Sequence, residues 1–197
     1  MRCFFIDYEN VDTPGLDGLT KLKKGDIIYI FYSEHHSRLT FGLHRRIYEA
    51  NQKGVIFYYH KTYSNQKNAL DQELIAELRN ILPKDIKASY YIISKDKGYN
   101  QYINNWNKEG YNVNLFGNIS EGNIAKKTEL ENKIRSRLVI DKRNLTFKLS
   151  DDQITKIANF IMSSKDKTEL NKYLQTMFSS HDVKYIFTRL KDITYDM

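Results

Sequence analysis

The chain has 197 residues, 41% hydrophobic and 13% aromatic, with only 2 prolines and 9 glycines; this supports a packed core and excludes a low-complexity or disordered chain. A formal net charge of +7 favours polyanionic partners, nucleic acid foremost, against the plainer alternative of a generally lysine-rich surface. The single Cys3 excludes an internal disulfide or a cysteine-based zinc site, and no apolar run approaches the roughly 20 residues that cross a bilayer or forms a signal segment before Asp7 interrupts it, so a cytoplasmic protein without membrane association is expected.

Residues 3–6 form an apolar run too short for an amphipathic helix and predict a buried first strand, which the polar Asp7, Glu9 and Asn10 follow at once. Turn residues and a short leucine-spaced segment occupy 14–24. A second buried strand is expected over 27–33, IIYIFYS. A helix ending at Lys53-Gly54 then places Leu39, Leu43, Ile47 and Tyr48 on one face. A third strand covers 55–60. A polar loop through Asn65 and Asn68 leads to ALDQELIAELRNIL, where Leu70, Leu74, Ile75, Leu78 and Leu82 follow helical spacing until Pro83 stops it. ASYYIIS predicts a fourth strand, 98–109 a helix and 111–116 a fifth strand. Strands alternating with helices imply a mainly parallel five-stranded sheet in a three-layer α/β domain over residues 1–117.

Past Gly117 helical periodicity takes over. Residues 118–147 read as a basic connecting helix or linker: the window 126–148 holds eight basic residues, including Lys126, Lys127, Arg135, Arg137, Lys142, Arg143 and Lys148, against three acids. Residues 148–197 read as a small α-helical appendage. Its first helix starts at Ser150-Asp151-Asp152 and carries Ile154, Ile157, Ile161 and Met162; further helices are expected over 167–178 and 181–190.

Three aspartates fall where strands or helices meet loops. Asp7 ends the first strand, Asp71 lies in the first turn of the helix before the fourth strand, and Asp96 follows that strand. If the first and fourth strands are neighbours, all three reach one sheet edge, where open α/β sheets bind ligands. Clustered carboxylates repel unless a cation neutralises them. Oxygen ligands from Asp7, Asp71 and Asp96, with Asn10 as neutral helper, suit Mg²⁺ or Mn²⁺ and not zinc. Such an ion supports phosphodiester hydrolysis through activated water. Singly, each residue has a plainer reading as a turn or helix cap.

With FFIDYENV, ALDQEL and ISKDKGY, the chain resembles the PIN-like nuclease superfamily, close to its NYN-type branch, over residues 1–117. The resemblance implies a PIN-like (Rossmannoid) fold and a metal-dependent endoribonuclease whose products carry 5′-phosphate and 3′-hydroxyl ends. It assigns the catalytic positions to Asp7, Asn10, Asp71, Ser94 and Asp96, and RNA, single-stranded or structured, as substrate. Many relatives carry a further acid at the position of Gly98, so the fourth acid is missing or comes from elsewhere, with Glu9 the nearest candidate. One metal or two stays open on that ground.

Lys95 and Lys97 are candidate phosphate contacts, Tyr63 and Tyr99 candidate stacking partners for an unpaired base, and Lys126, Lys127, Arg135 and Arg137 a candidate rail for the nucleic-acid backbone. Tyr58, Tyr59, Tyr90 and Tyr91 read mostly as packing residues. His35 and His36 read as a loop pair without a third metal ligand, with RNA contact a minor alternative. The C-terminal helices are candidates for a homodimer surface or a regulatory docking site. Two rival functions remain. A catalytically impaired RNA-binding or scaffold module is favoured by Gly98 and opposed by the three aspartates; an α/β phosphatase is opposed by Glu9, where those enzymes place a second Asp.

Overall fold

The computed structural model describes residues 1–63, 66, 68–139, 149–163 and 167–193. The chain divides into two compact units, Met1–Asn123 and Ile124–Met197. In the first, β1 (Arg2–Asp7), β2 (Ile27–Ser33), β3 (Ile56–Thr62), β4 (Ser89–Ile93) and β5 (Asn112–Phe116) build one parallel sheet in the order β3-β2-β1-β4-β5. The first and fourth strands are neighbours, as expected. Strand order reverses between them, which puts the switch point of the sheet at the carboxyl ends of β1 and β4.

Side chains alternate across β1 and fill a core on each face. Cys3 and Phe5 pack with Leu70, Leu74 and Leu78 of α3 (Ala69–Ile81) and with Ile103 and Trp106 of α4 (Asn100–Lys108). Phe4 and Ile6 pack on the other face with Val11 of α1 (Tyr8–Gly15) and with Leu43, Ile47 and Ala50 of α2 (Phe41–Gln52). Burial pushes the Cys3 thiol up to about 12, so it is an inert core group.

Several expectations are corrected. Helix α1 occupies part of what read as turn: the Asp7 carboxylate accepts the Asn10 amide at 3.2 Å and caps it. It is short and bent at Asp12, where φ is +50°, so no periodicity announces it. Leu39 precedes α2 and is exposed, and Tyr48 lies off its buried face, because Ala50 completes the stripe begun by Leu43 and Ile47. Tyr90 and Tyr91 are core residues, but Tyr58 and Tyr59 are about half exposed, at 46% and 51%. The reason is topological: β3 is an edge strand, and only its β2 side is paired. The 98–109 helix opens with a 3₁₀ turn, Lys97–Tyr99, before α4 begins. Asn65 lies outside the described residues.

The second unit begins inside α5 (Ile119–Val139). Leu130 and Ile134 of α5 join Ile154, Ile157 and Ile161 of α6 (Asp151–Ser163), Leu170 and Leu174 of α7 (Lys167–Gln175) and Ile186 and Leu190 of α8 (Ser180–Leu190) in one core. The segment expected to connect two units thus supplies part of the second core. At the start of α6, Gln153 N–H donates to Ser150 Oγ at 3.2 Å and Ser150 N–H to Gln153 Oε1 at 2.9 Å, a reciprocal cap. The expected basic positions Lys142, Arg143 and Lys148 lie outside the described residues.

Candidate active site

A cavity of about 620 Å³ opens at the carboxyl edge of the sheet, beside the switch point. Asp7, Glu9 and Asn10 line it from β1 and α1, Asp71 from α3, and Asp96 from the loop after β4. Sequence-separated acids meet here because parallel strands deliver all their carboxyl ends to one side.

Asp7 is the buried centre, 3% exposed. Its Oδ2 accepts from Ser94 Oγ at 2.8 Å and from the Tyr99 hydroxyl at 3.4 Å, while Oδ1 accepts the Asn10 amide. The Tyr99 hydroxyl lies nearer Asp71, donating to Oδ1 at 2.5 Å. One phenolic proton is therefore shared unequally between two carboxylates. Burial, then the nearby Asp71 charge, pushes Asp7 up to about 6 despite its hydrogen bonds. Burial and the same two carboxylates drive the Tyr99 phenol far upward, so it stays a neutral donor. No lysine or arginine pairs with Asp7 or Asp71 among the described residues.

Asn10 and Ser94 tie the two strand ends together. Asn10 Oδ1 accepts the Lys95 amide at 3.0 Å, and Ser94 Oγ accepts the Asp96 amide at 3.0 Å while donating to Asp7. Asp96 does not join the Asp7–Asp71 pair. It is exposed, and its Oδ1 accepts the Gly98 amide at 2.7 Å, capping the 3₁₀ turn. Among the described residues, no three His, Cys, Asp or Glu side chains gather closely enough to hold a metal. The three aspartates thus share a cavity without converging on one point. Gly98 is adapted to this arrangement: a Cβ there would stand 3.1 Å from Asp96 Oδ1, tighter than ordinary contact.

Tyr99 contradicts its expected role. It is 2% exposed and offers no ring face for a base; the 3₁₀ turn after Asp96 folds it inward beneath the two carboxylates. Its position three residues after Asp96 is the one sequence signal for this, and it fits a stacking residue equally well. The cavity also takes in Ser33, Thr62 and Asn68, none of them expected as site residues, and His35, expected as a loop residue with RNA contact only a minor alternative. Asn68 enters through a left-handed backbone, φ +61°, that asparagine tolerates. Glu9 faces His36, with Nδ1 and Oε1 3.8 Å apart.

Lys95 and Lys97 are exposed on either side of Asp96. Tyr63 is 80% exposed, with the Lys61 ammonium 5.0 Å from its ring centre. In the second unit, Lys127 pairs with Glu131, Arg135 with Asp151, and Arg137 donates to the Arg189 carbonyl. Lys126 also has a partner. The acid pairings of Lys127 and Arg135 compensate part of the helix charge that suggested a rail.

The model of the PIN domain family matches residues 1–115 of the chain, more than half its length. The chain belongs to the PIN domain family. No curated protein and no solved structure matches it. A PIN domain is a nuclease-type fold, and PIN domains are generally metal-dependent nucleases; in this PIN domain the Asp7–Asp71 pair stands at the sheet edge. Tyr99→Phe keeps the ring but deletes the shared proton. The variant should lose about 1.5–3 kcal/mol of stability, the usual worth of a hydrogen bond to a charged group, and move Asp7 further upward. Urea unfolding followed by Trp106 fluorescence and a carboxyl NMR titration check the two parts.

Proposed function

We propose that the chain is a metal-dependent ribonuclease of the NYN-type branch, hydrolysing RNA phosphodiester bonds to 5′-phosphate and 3′-hydroxyl ends. The observation that carries this reading is the Asp7–Asp71 pair: two carboxylates sharing one tyrosine proton, one of them buried, without a compensating cation among the described residues. Such a pair gains from a cation, and its oxygen-only donors fit Mg²⁺ or Mn²⁺. Asp7 and Asp71 would hold the ion, with Asp96, Glu9 and Asn10 as further oxygen donors lining the cavity. A bound divalent ion supplies Lewis-acid polarisation of a phosphodiester and acidifies water.

The chain's own residues do the positioning. Ser94 and the Asn10 amide fix the rotamer of Asp7, Tyr99 sets the spacing of Asp71 from it, and Lys95 and Lys97 offer charge to the phosphates flanking the scissile bond. No described helix is long and apolar enough to cross a membrane; a cytoplasmic setting with RNA as partner is part of the proposal. So is a homodimer or regulatory contact through the C-terminal helices.

Incubation of the purified chain with labelled single-stranded RNA tests it. Cleavage is expected with Mn²⁺ and its loss with EDTA, and Asp71→Asn should weaken Mn²⁺ binding measured calorimetrically. Mn²⁺ affinity unchanged by that substitution, with no cleavage, would favour the scaffold reading; turnover of a simple phosphate monoester but not RNA would favour the phosphatase.

A further inference from the structure

A second hollow, about 240 Å³, lies beside the acidic cavity. Tyr32 and Tyr59 supply ring surface, Leu39 an apolar wall, and His36 and Lys61 polar, basic groups, while Tyr8 is buried at its base. The volume is below the roughly 300 Å³ at which sites for drug-sized ligands begin, and suits one planar ring. Both Tyr59 and Leu39 are about half exposed, at 51% and 45%.

Its position follows from strand geometry. Ser33 pairs with Thr62 across β2 and β3, and both line the acidic cavity; Tyr32 pairs with Lys61 one residue earlier, and both line the hollow. Successive residues on a strand face opposite sides of the sheet, so the two openings stand back to back across its carboxyl edge. Two further links join them. Tyr8 of the hollow directly follows Asp7 of the cavity, and His36 of the hollow faces Glu9 of the cavity.

We propose that this hollow is a subsite for an unpaired nucleobase of the substrate strand, stacked on Tyr59 and Tyr32 while the neighbouring phosphate lies at the acidic cavity. The proposal rests on the ribonuclease reading and adds to it a preference for single-stranded RNA. Aromatic rings accept any base through its π-face, while a base in a duplex is stacked and cannot enter. Lys61, 3.7 Å from Glu34 Oε1, and His36, beside Glu9, stand where an entering strand would bring its backbone charge in exchange for those exposed pairings.

The test uses the full chain carrying Asp7→Asn, to suppress cleavage, with a short unstructured labelled oligoribonucleotide and the same strand annealed into a blunt duplex. Adding Tyr59→Ala should weaken single-strand binding about 5- to 150-fold, the range for loss of one base-aromatic stack, and leave duplex binding unchanged. Tyr59→Phe should restore the single-strand affinity, because the ring and not the hydroxyl carries the stack. Equal loss on both probes, or no loss, overturns the subsite. Sedimentation showing that Tyr59→Ala turns a dimer into a monomer also overturns it, in favour of self-association. If the Asp7→Asn parent binds neither probe, the ribonuclease reading fails and the subsite with it; if the parent binds single strands and Tyr59→Ala binds them equally well, the subsite alone fails.

Discussion

Asp7→Asn should lower Mn²⁺-dependent RNA cleavage by at least about 10³-fold, some 4 kcal/mol of lost transition-state stabilisation, without unfolding the chain. The amide preserves an oxygen for the Asn10 N–H and nearly the same volume in a fully packed position, but removes the charge on which cation binding depends. Labelled RNA and a gel decide it: equal rates for the variant and the natural chain sink the mechanism. The same substitution has a signature independent of activity. Asp7 is pushed from 3.8 to about 6 in the folded chain, so between those values the native state binds more protons than the unfolded state. Stability of the metal-free protein therefore falls as pH rises through about 4 to 6, by about 3 kcal/mol in all. Asp7→Asn removes that decline, and saturating Mn²⁺ offsets it because the ion binds the charged form. Denaturation at pH 4 and pH 7, with and without metal, measures both effects.

Asp26→Ala should destabilise the first unit by about 3–5 kcal/mol, the cost of leaving a buried charge without its partner. Arg2 and Asp26 are a buried pair with side chains 8% and 7% exposed. Arg2 Nε donates to Asp26 Oδ1 at 2.9 Å, a second guanidinium nitrogen donates to Oδ2, and a third to Asn123 Oδ1. Asp26 Oδ2 also accepts the Lys23 amide at 2.9 Å. The pair thereby fastens the start of β1 to the turn before β2 and to the beginning of α5. Arg2→Leu combined with Asp26→Leu should recover most of the loss, since a well-packed apolar pair is often as stable as a buried ionic one. Trp106, the one tryptophan of the chain, is packed in the core of this unit, so its fluorescence during urea unfolding reports on it. A single-variant midpoint within experimental error of the natural chain would show the pair to be dispensable.

Much of the first unit was legible because its signals are local. The runs at β1, β2 and β4 and the leucine spacing of α3 are patterns that a few neighbouring residues determine through burial. Edge and centre are not local: VIFYYH reads like IIYIFYS, yet Tyr58 and Tyr59 are half exposed because no strand covers the far side of β3. The basic helix was legible as a helix, but the partners of Lys127 and Arg135 depend on where acids fall around α5 and α6.

The candidate site divides along the same line. By itself the sequence determined that Asp7, Asp71 and Asp96 sit at element ends and that an acid is absent at Gly98, since residue type and local periodicity suffice for both. Only the tertiary structure decided which carboxylates meet. The β1–β4 pairing brings Ser94 to Asp7, α3 packs so that Asp71 reaches the Tyr99 hydroxyl, and the amide of Gly98 holds Asp96 aside. Those contacts span 87 and 28 residues of chain for Ser94 and Tyr99, and no short-range pattern encodes a hydrogen bond between residues that only the sheet order brings together.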